Sequence, residues 1–412
     1  MSTILGIMNY ASHDPGACIM TDKNGKLEYL TISDERLSRV KNSYFFPIRS
    51  IKYCFDYFGI KTLNEIDHLV MDYGFNPQLA NTTRHYRKLE ADYIKMKLNI
   101  DLSKIVYAPS HHIAHAASTF YPSRFEDAAV LVIDGFGSEV ETNSIYIADY
   151  DNGIKLLEKY NGQGIGLVYS VVTNDILNFG IGEEGKTMGL APCGRNVVGD
   201  PILAFNPVYE GIITDFSEFM DRAPFSSLKV EIPKCNDKKE VTNDFYSKIA
   251  FELQQETERC ILHLANHAYK ISNKKRLCIA GGVGLNCVAN EKILSNTPFE
   301  EIFIQPAASD TGIAFGLALW WWSQNVNQPR IKWDNAYTGI QYGRNDVKNI
   351  LDEMDISFNK SDASEVAKLI SNKNIVGWFT GGSEIGPRAL GHRSILGDPP
   401  SPGTGQFILP PV

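Results

Sequence analysis

The amino-acid sequence predicts an α/β fold with two related lobes facing a cleft, and three observations carry that prediction. A strand, a polar turn and a returning strand stand near the N-terminus, and the same design recurs at 128–150. Two further apolar runs, "RLCIAGGVGLNC" and "EIFIQPAASD", end in glycine-rich or small-residue turns. Helical periodicity fills intervals between strands, notably at 245–272 and 311–323, and strands alternating with helices make an α/β architecture.

Taken in order, Thr3–Met8 is an apolar run, "NYASHDPGA" is a turn, and Ala17–Thr21 is the returning strand. "AAVLVIDGFGSEVETNSIYIADY" repeats the plan, with Asp134 opening its glycine turn. The segment at about 195–245 is rich in turn and charged residues without a clear period, and reads as an insertion. Beyond residue 345 come a helical pattern (Ala363–Asn372), the strand "NIVGWFT" and an arginine-bearing turn. That strand has no evident partner, and so short a stretch buries too little apolar surface to hold a core alone. The tail, 399–412, is proline-rich and expected to be irregular.

Composition narrows the function classes. The chain has 412 residues, 43% hydrophobic and 21% charged, as ordinary soluble enzymes do. No apolar run approaches a membrane span, and the N-terminus lacks the pattern of a secretion signal. Seven cysteines without CxxC spacing read as reduced thiols in a cytoplasmic protein. A formal charge of −8 argues against nucleic acid as the main partner, so an anionic ligand must meet locally placed cations. Nothing in the composition decides for or against a homo-oligomer.

Several residue groups are candidates for chemistry. In "YAPSHHIAHAASTFYPS", His111 and His115 are spaced to share one helix face. With Asp134 and Asp310, both at strand ends, they would make a mixed nitrogen and oxygen site suited to divalent iron, manganese or zinc. Chance also produces such pairs: His263 and His267 form another, beside an apolar stripe, and read as structural. Asp310 could equally cap the helix that follows it, whereas Asp134 in its glycine turn is costly to bury without a partner. The turn holding Gly281, Gly282, Val283, Gly284 and Asn286 precedes a helix and could bring backbone amides to an anion, or be only a tight turn. Lys186, flanked by glycine, is expected on a loop. Arg388 and Arg393, around a Gly-Pro break, suit bidentate phosphate recognition or plain surface positions.

The segments "SHHIAHAASTFYPS", "LVIDGFGSE", "EGKTMGLAPCGR", "AGGVGLNCVAN", "PAASDTGIAFG" and "GPRALGHRSIL" resemble, in order and spacing, the O-carbamoyltransferases of antibiotic and nodulation-factor biosynthesis. The resemblance runs from residue 4 to about 398. It implies an actin-like domain of the sugar kinase and heat-shock ATPase superfamily over 1–340, related to the subunit that makes threonylcarbamoyl-adenosine on tRNA. It implies the opening of a YrdC-like α+β domain over 345–398. Within the family the YrdC-like part converts carbamoyl phosphate and ATP to carbamoyl-adenylate, and the actin-like part passes the carbamoyl group to an acceptor hydroxyl. By position, the implied metal ligands are His111, His115, Asp134 and Asp310, with Fe²⁺ the favoured ion.

Two departures accompany the resemblance. Gly382 stands where the family has an arginine, which removes one phosphate contact. A YrdC-like domain would also run for roughly two hundred residues more, so the chain looks truncated and activation of carbamoyl phosphate is expected to be lost.

The chemistry then implied is attack of an alcohol on a mixed anhydride. His13, beside Asp14, is the candidate general base. Lys41, Lys186 and the glycine-loop amides would stabilise the departing anion. Alternatives are a tRNA threonylcarbamoyl-transferase-like subunit, a sugar kinase, or a nucleotide-binding remnant without catalysis. The acceptor is a hydroxyl-bearing small molecule, with its contacts expected in the 195–245 insertion.

Overall fold

The computed structural model describes residues 2–8, 13–23, 25–43, 45–72, 94–221, 228–237, 239–326, 331, 333–339 and 341–398. The chain divides into two compact units, Met1–Trp333 and Asp334–Val412. The 399–412 tail lies outside the described residues.

Unit 1 contains two five-stranded sheets of the same topology. In the first, β1 (Thr3–Met8), β2 (Gly16–Thr21), β3 (Glu28–Ser33), β4 (His68–Met71) and β5 (Ile105–Tyr107) lie in the order β3-β2-β1-β4-β5. The β1–β2 and β2–β3 pairs are antiparallel, while β1–β4 and β4–β5 are parallel. The second sheet uses β6 (Asp127–Ile133), β7 (Asn143–Asp149) and β8 (Gly153–Tyr160). Two later strands complete it, which we number β11 (Arg276–Ala280) and β12 (Glu301–Ile304) after a small intervening hairpin, β9 (Val208–Glu210) and β10 (Ile213–Asp215). Its order, β12-β11-β6-β7-β8, and its strand directions repeat those of the first sheet. The two related lobes expected from the paired hairpins are thus two copies of one sheet plan.

Strands β1 and β2 are buried along their whole length, so they read as unbroken apolar runs rather than alternating ones. Two helices separate the sheets. The helix His111–Phe120 follows the first sheet yet packs on β6 and β11 of the second. The helix Ile313–Asn325 follows the second sheet yet packs on β1 and β2. The helices also pack on each other, which explains why all ten residues of the first are buried. Small residues set this approach: a Cβ at Gly316 would lie 2.7 Å from the Ala114 carbonyl carbon, and one at Gly6 would lie 3.1 Å from the Ala318 nitrogen.

The longest helix, Asp244–Ser272, begins where Asn243 accepts a hydrogen bond from the Tyr246 N–H and ends at left-handed Asn273. The described part of 195–245 holds regular structure despite its turn-rich composition. They contain β9 and β10, and Phe205 packs edge-on against Phe219 with ring centres 4.8 Å apart. Among the described residues no helix is long and apolar enough to cross a membrane, and all seven cysteines are free thiols.

In unit 2, two helices (Arg344–Glu353 and Ala363–Ser371) precede β13 (Val376–Phe379) and β14 (Arg393–Leu396). The expectation of a partnerless strand is corrected here. β13 pairs antiparallel with β14, from Val376 opposite Leu396 to Phe379 opposite Arg393, because the turn at 381–392 folds the chain back. Neither helix buries a residue, and Val347, Ile350 and Leu369 stay exposed.

Candidate metal centre

Four side chains converge where the second sheet meets the inter-sheet helices. Ser110 caps the helix His111–Phe120 by accepting from the Ile113 N–H, and this sets His111 in the first turn with His115 one turn on. Asp134 stands at the end of β6, and Asp310 follows β12 at the entry to the helix Ile313–Asn325. His111 Nε2 lies 3.2 Å from Asp310 Oδ1 and 3.6 Å from Asp134 Oδ2. His115 Nε2 lies 3.3 and 3.4 Å from the same two atoms. One ligand atom from each residue fits within 4.8 Å of all the others, and all four residues are buried. The helix-cap alternative for Asp310 is not realised, since Gly312 holds the cap position of the helix Ile313–Asn325 and Asp310 faces the histidines.

The donor set fits a divalent cation. In the fully buried His115 ring, Nδ1 lacks a hydrogen-bond partner, while Nε2 is turned to the two carboxylates. Burial alone would lower the His111 and His115 pKa values, but the carboxylates of Asp310 and Asp134 outweigh it and raise both. Burial likewise opposes the ionised forms of Asp134 and Asp310, yet the imidazoles hold both carboxyls below the usual range. Two buried carboxylates need compensating positive charge, from protonated imidazoles or from a metal ion.

Neighbouring groups hold the ligands in place. Asp134 Oδ1 accepts from the Gly282 N–H at 2.9 Å. The His111 N–H donates to Ser138 Oγ at 3.0 Å, and His111 Nδ1 lies 2.6 Å from Asp72 Oδ2. A Cβ at Gly166 would lie 2.6 Å from the Asp134 carbonyl carbon, so glycine is required there. Ser138, Gly166 and Asp72 were not singled out from the sequence. Asp72 alone carried a signal, an aspartate closing an apolar strand in "LVMD", as Asp134 does in "LVID".

The glycine turn has a duty other than open anion binding. The Gly281, Gly282 and Gly284 amides donate to Ala308 O, Asp134 Oδ1 and Gly281 O respectively. Gly281 adopts φ +88°, and a Cβ there would meet Ile133 at 2.6 Å from its carbonyl carbon. The Val283 carbonyl accepts from the Asn286 N–H. Asn286 caps the helix Cys287–Asn296 and exchanges two side-chain hydrogen bonds with Gln254. Beside it, a cleft of about 360 Å³ opens between three helices, lined by Met188, Arg195, Phe251, Gln254, Val288 and Lys292 among others.

His13 Nδ1 lies 3.1 Å from Asp14 Oδ2, with Asp14 in the left-handed region at φ +66°. Burial works against the charged imidazole, but the hydrogen bond to Asp14 and the charges of Asp310 and Asp134 raise the His13 pKa. Because 43% of its side chain is exposed, solvent tempers that rise. Lys41 is exposed beside Asn42, whose amide donates to the Ile181 carbonyl and ties the two loops together. Lys186 is corrected from a loop to the first turn of the helix Glu184–Leu190, where it pairs with Glu183 at 3.3 Å. His263 and His267 bond to Gly211 O and Glu158 Oε2, so that pair pins β8 and the β9–β10 hairpin to the long helix.

In unit 2 the two arginines have different surroundings. Arg393 is held by Glu384 (Nε to Oε2, 3.1 Å), and it donates to the carbonyls of Gly386 and Arg388. Its side chain therefore braces the turn, while Arg388 is exposed.

Residues 79–319 match the family model described as carbamoyltransferase N-terminus, and 367–409 the one described as carbamoyltransferase C-terminus. An uncharacterized protein of Synechocystis sp. is 32% identical over 97% of this chain and 71% of its own length. The nodulation protein NolNO of Sinorhizobium fredii is 31% identical over 96% of this chain and 60% of its own. A 3'-hydroxymethylcephem-O-carbamoyltransferase of Streptomyces clavuligerus is 31% identical over 53% of this chain and 39% of its own. The chain thus spans less than two thirds of the latter two relatives.

Proposed function

We propose, from the premise that this chain belongs to the carbamoyltransferase family, that it transfers a carbamoyl group from carbamoyl-adenylate to a hydroxyl of a small-molecule acceptor. The observation that carries this reading is the buried His111, His115, Asp134 and Asp310 group. The repeated sheet order supports the actin-like reading of unit 1. Carbamoyl-adenylate would itself derive from carbamoyl phosphate and ATP.

Attack by an alcohol forms a new C–O bond and breaks the bond to the phosphate, so AMP leaves with the electron pair. Negative charge grows on the carbonyl oxygen and on the leaving phosphate. His111, His115, Asp134 and Asp310 would hold a divalent ion, Fe²⁺ favoured, which when bound supplies Lewis acidity toward these oxygens. The three-helix cleft is of a size for a nucleoside, at the lower end of the ~300–1,000 Å³ range of ligand sites, and would orient the adenosine. Lys41, on the loop that Asn42 ties to Ile181, and Lys186, in the first turn of the helix Glu184–Leu190, would meet the leaving anion. His13 takes the acceptor proton, with Asp14 orienting its ring. That role requires the charges of Asp134 and Asp310, which favour protonated His13, to be offset first.

Synthetic carbamoyl-adenylate offered with sugar, cephem, polyketide and alkaloid alcohols tests the reading. AMP release that depends on one acceptor class supports it. Release indifferent to every acceptor contradicts it.

A further inference from the structure

All four candidate ligands come from the second sheet or from the two helices between the sheets. Their closest charged neighbour does not. Asp72 follows β4 of the first sheet, is only 2% exposed, and places Oδ2 at 2.6 Å from His111 Nδ1. The other nitrogen of the same ring faces Asp134 and Asp310. His111 therefore bridges a carboxylate of one sheet and the ligand cluster of the other. The second histidine has no such brace, since His115 Nδ1 is buried without a partner.

We infer that Asp72 is a positioning residue for the metal centre. It accepts the Nδ1 proton of His111, and so fixes the ring with its Nε2 lone pair toward the cation. This inference rests on the metal reading of the four-residue group. The chemistry is that of carboxylate–histidine–metal triads: the outer carboxylate selects the tautomer, orients the ring and makes the ligating nitrogen more basic. Two consequences follow from the geometry. The two histidines are unequal ligands, with His111 the stronger. Cation affinity also senses the first sheet, because the brace crosses between the sheets and the four ligands do not.

Titration of the full chain with Co²⁺ tests this, since cobalt reports ligand geometry in its visible absorption. Wild type is expected to bind one Co²⁺. Asp72→Asn keeps the shape and an acceptor oxygen but removes the charge, and should weaken binding by about 10-fold with shifted bands. Asp72→Ala removes the acceptor as well and should weaken it by up to ~100-fold. Ile19→Val, a buried change in β2 of the same sheet, serves as the stability control. It should lower the melting temperature and leave the Co²⁺ affinity and spectrum unchanged. If Asp72→Asn and Asp72→Ala bind Co²⁺ with the wild-type affinity and spectrum, the role of Asp72 is overturned while the metal centre stands. If Ile19→Val weakens binding as much as Asp72→Ala does, the effect is general destabilisation and the inference falls. If wild type binds no Co²⁺, the metal reading fails and takes the inference with it.

Discussion

Gly316 offers a test in which sterics and helix propensity pull in opposite directions. Replacing glycine by alanine inside a helix ordinarily stabilises by roughly 0.5–1 kcal/mol. At Gly316 the added Cβ would stand 2.7 Å from the Ala114 carbonyl carbon and 3.0 Å from Ser118 Cβ, where ordinary contact is 3.4–4 Å. The Ala114 carbonyl oxygen is closer still, so the two helices must part by at least about 0.7 Å to admit it, and such overpacking costs ~1–3 kcal/mol. The sterics win. One helix carries His111 and His115 and Asp310 leads into the other, so the same displacement separates ligands whose distances a metal needs to within about 0.2 Å. Gly316→Ala should therefore lower the melting temperature and weaken divalent-metal binding by roughly 10-fold or more. Gly189→Ala, a helical position with open space around it, should be neutral or stabilising. Differential scanning calorimetry and a cobalt titration read both effects. A Gly316→Ala chain with undiminished melting temperature and metal affinity would falsify the link between helix approach and ligand geometry.

Three further outcomes are expected. Elemental analysis should find about one divalent ion per wild-type chain, lost in His111→Ala and Asp134→Asn and kept in His263→Ala; a metal-free wild type after purification with added iron would refute the site. Without metal, burial opposes but the carboxylates raise the His111 and His115 pKa values, while the imidazoles lower those of Asp134 and Asp310. The raised imidazoles stabilise fully below ~6.5 and lose that effect as pH climbs through their folded values; the depressed carboxylates stabilise fully above ~3.9 and lose it as pH falls through theirs. The melting-temperature gap between metal-free wild type and His111→Ala should then be widest between about pH 4 and 6.5 and shrink at higher pH; a gap that grows with alkalinity contradicts this. Saturating adenine nucleotide should raise the wild-type melting temperature, and Val288→Trp, on a cleft-lining residue 43% exposed, should suppress that rise; an undiminished rise would place the nucleotide elsewhere.

The elements most legible in the sequence were those with local signatures. β1, β2, β6 and β7 announce themselves as apolar runs on either side of polar turns, and their repetition pointed to the paired sheets. Asp134 stood out because a carboxylate closing a buried strand needs a partner, and the structure supplies His111 and His115. What stayed hidden depends on contacts between distant segments. Nothing local in "LVMD" says that Asp72 meets His111, and nothing in "IAFGLAL" says that Gly316 touches Ala114. The sequence of the glycine turn at 281–284 suggests open amides, but Asp134, far away in sequence, takes the Gly282 N–H. The two arginines of unit 2 looked alike in sequence, and only the buried carboxylate of Glu384 distinguishes them.

The most direct measurement follows the carbamoyl carbon itself. Carbamoyl-adenylate labelled with ¹³C at that carbon is given to the chain together with Fe²⁺ under anaerobic conditions and the acceptor panel, and the label is tracked by NMR. The label is expected to appear as an O-carbamate of one acceptor, with AMP in equal amount, and to stay on the adenylate after chelation or in His111→Ala. Label recovered only as hydrolysis products, or transferred at an unchanged rate by the chelated and His111→Ala chains, would contradict the proposal that this buried group serves carbamoyl transfer.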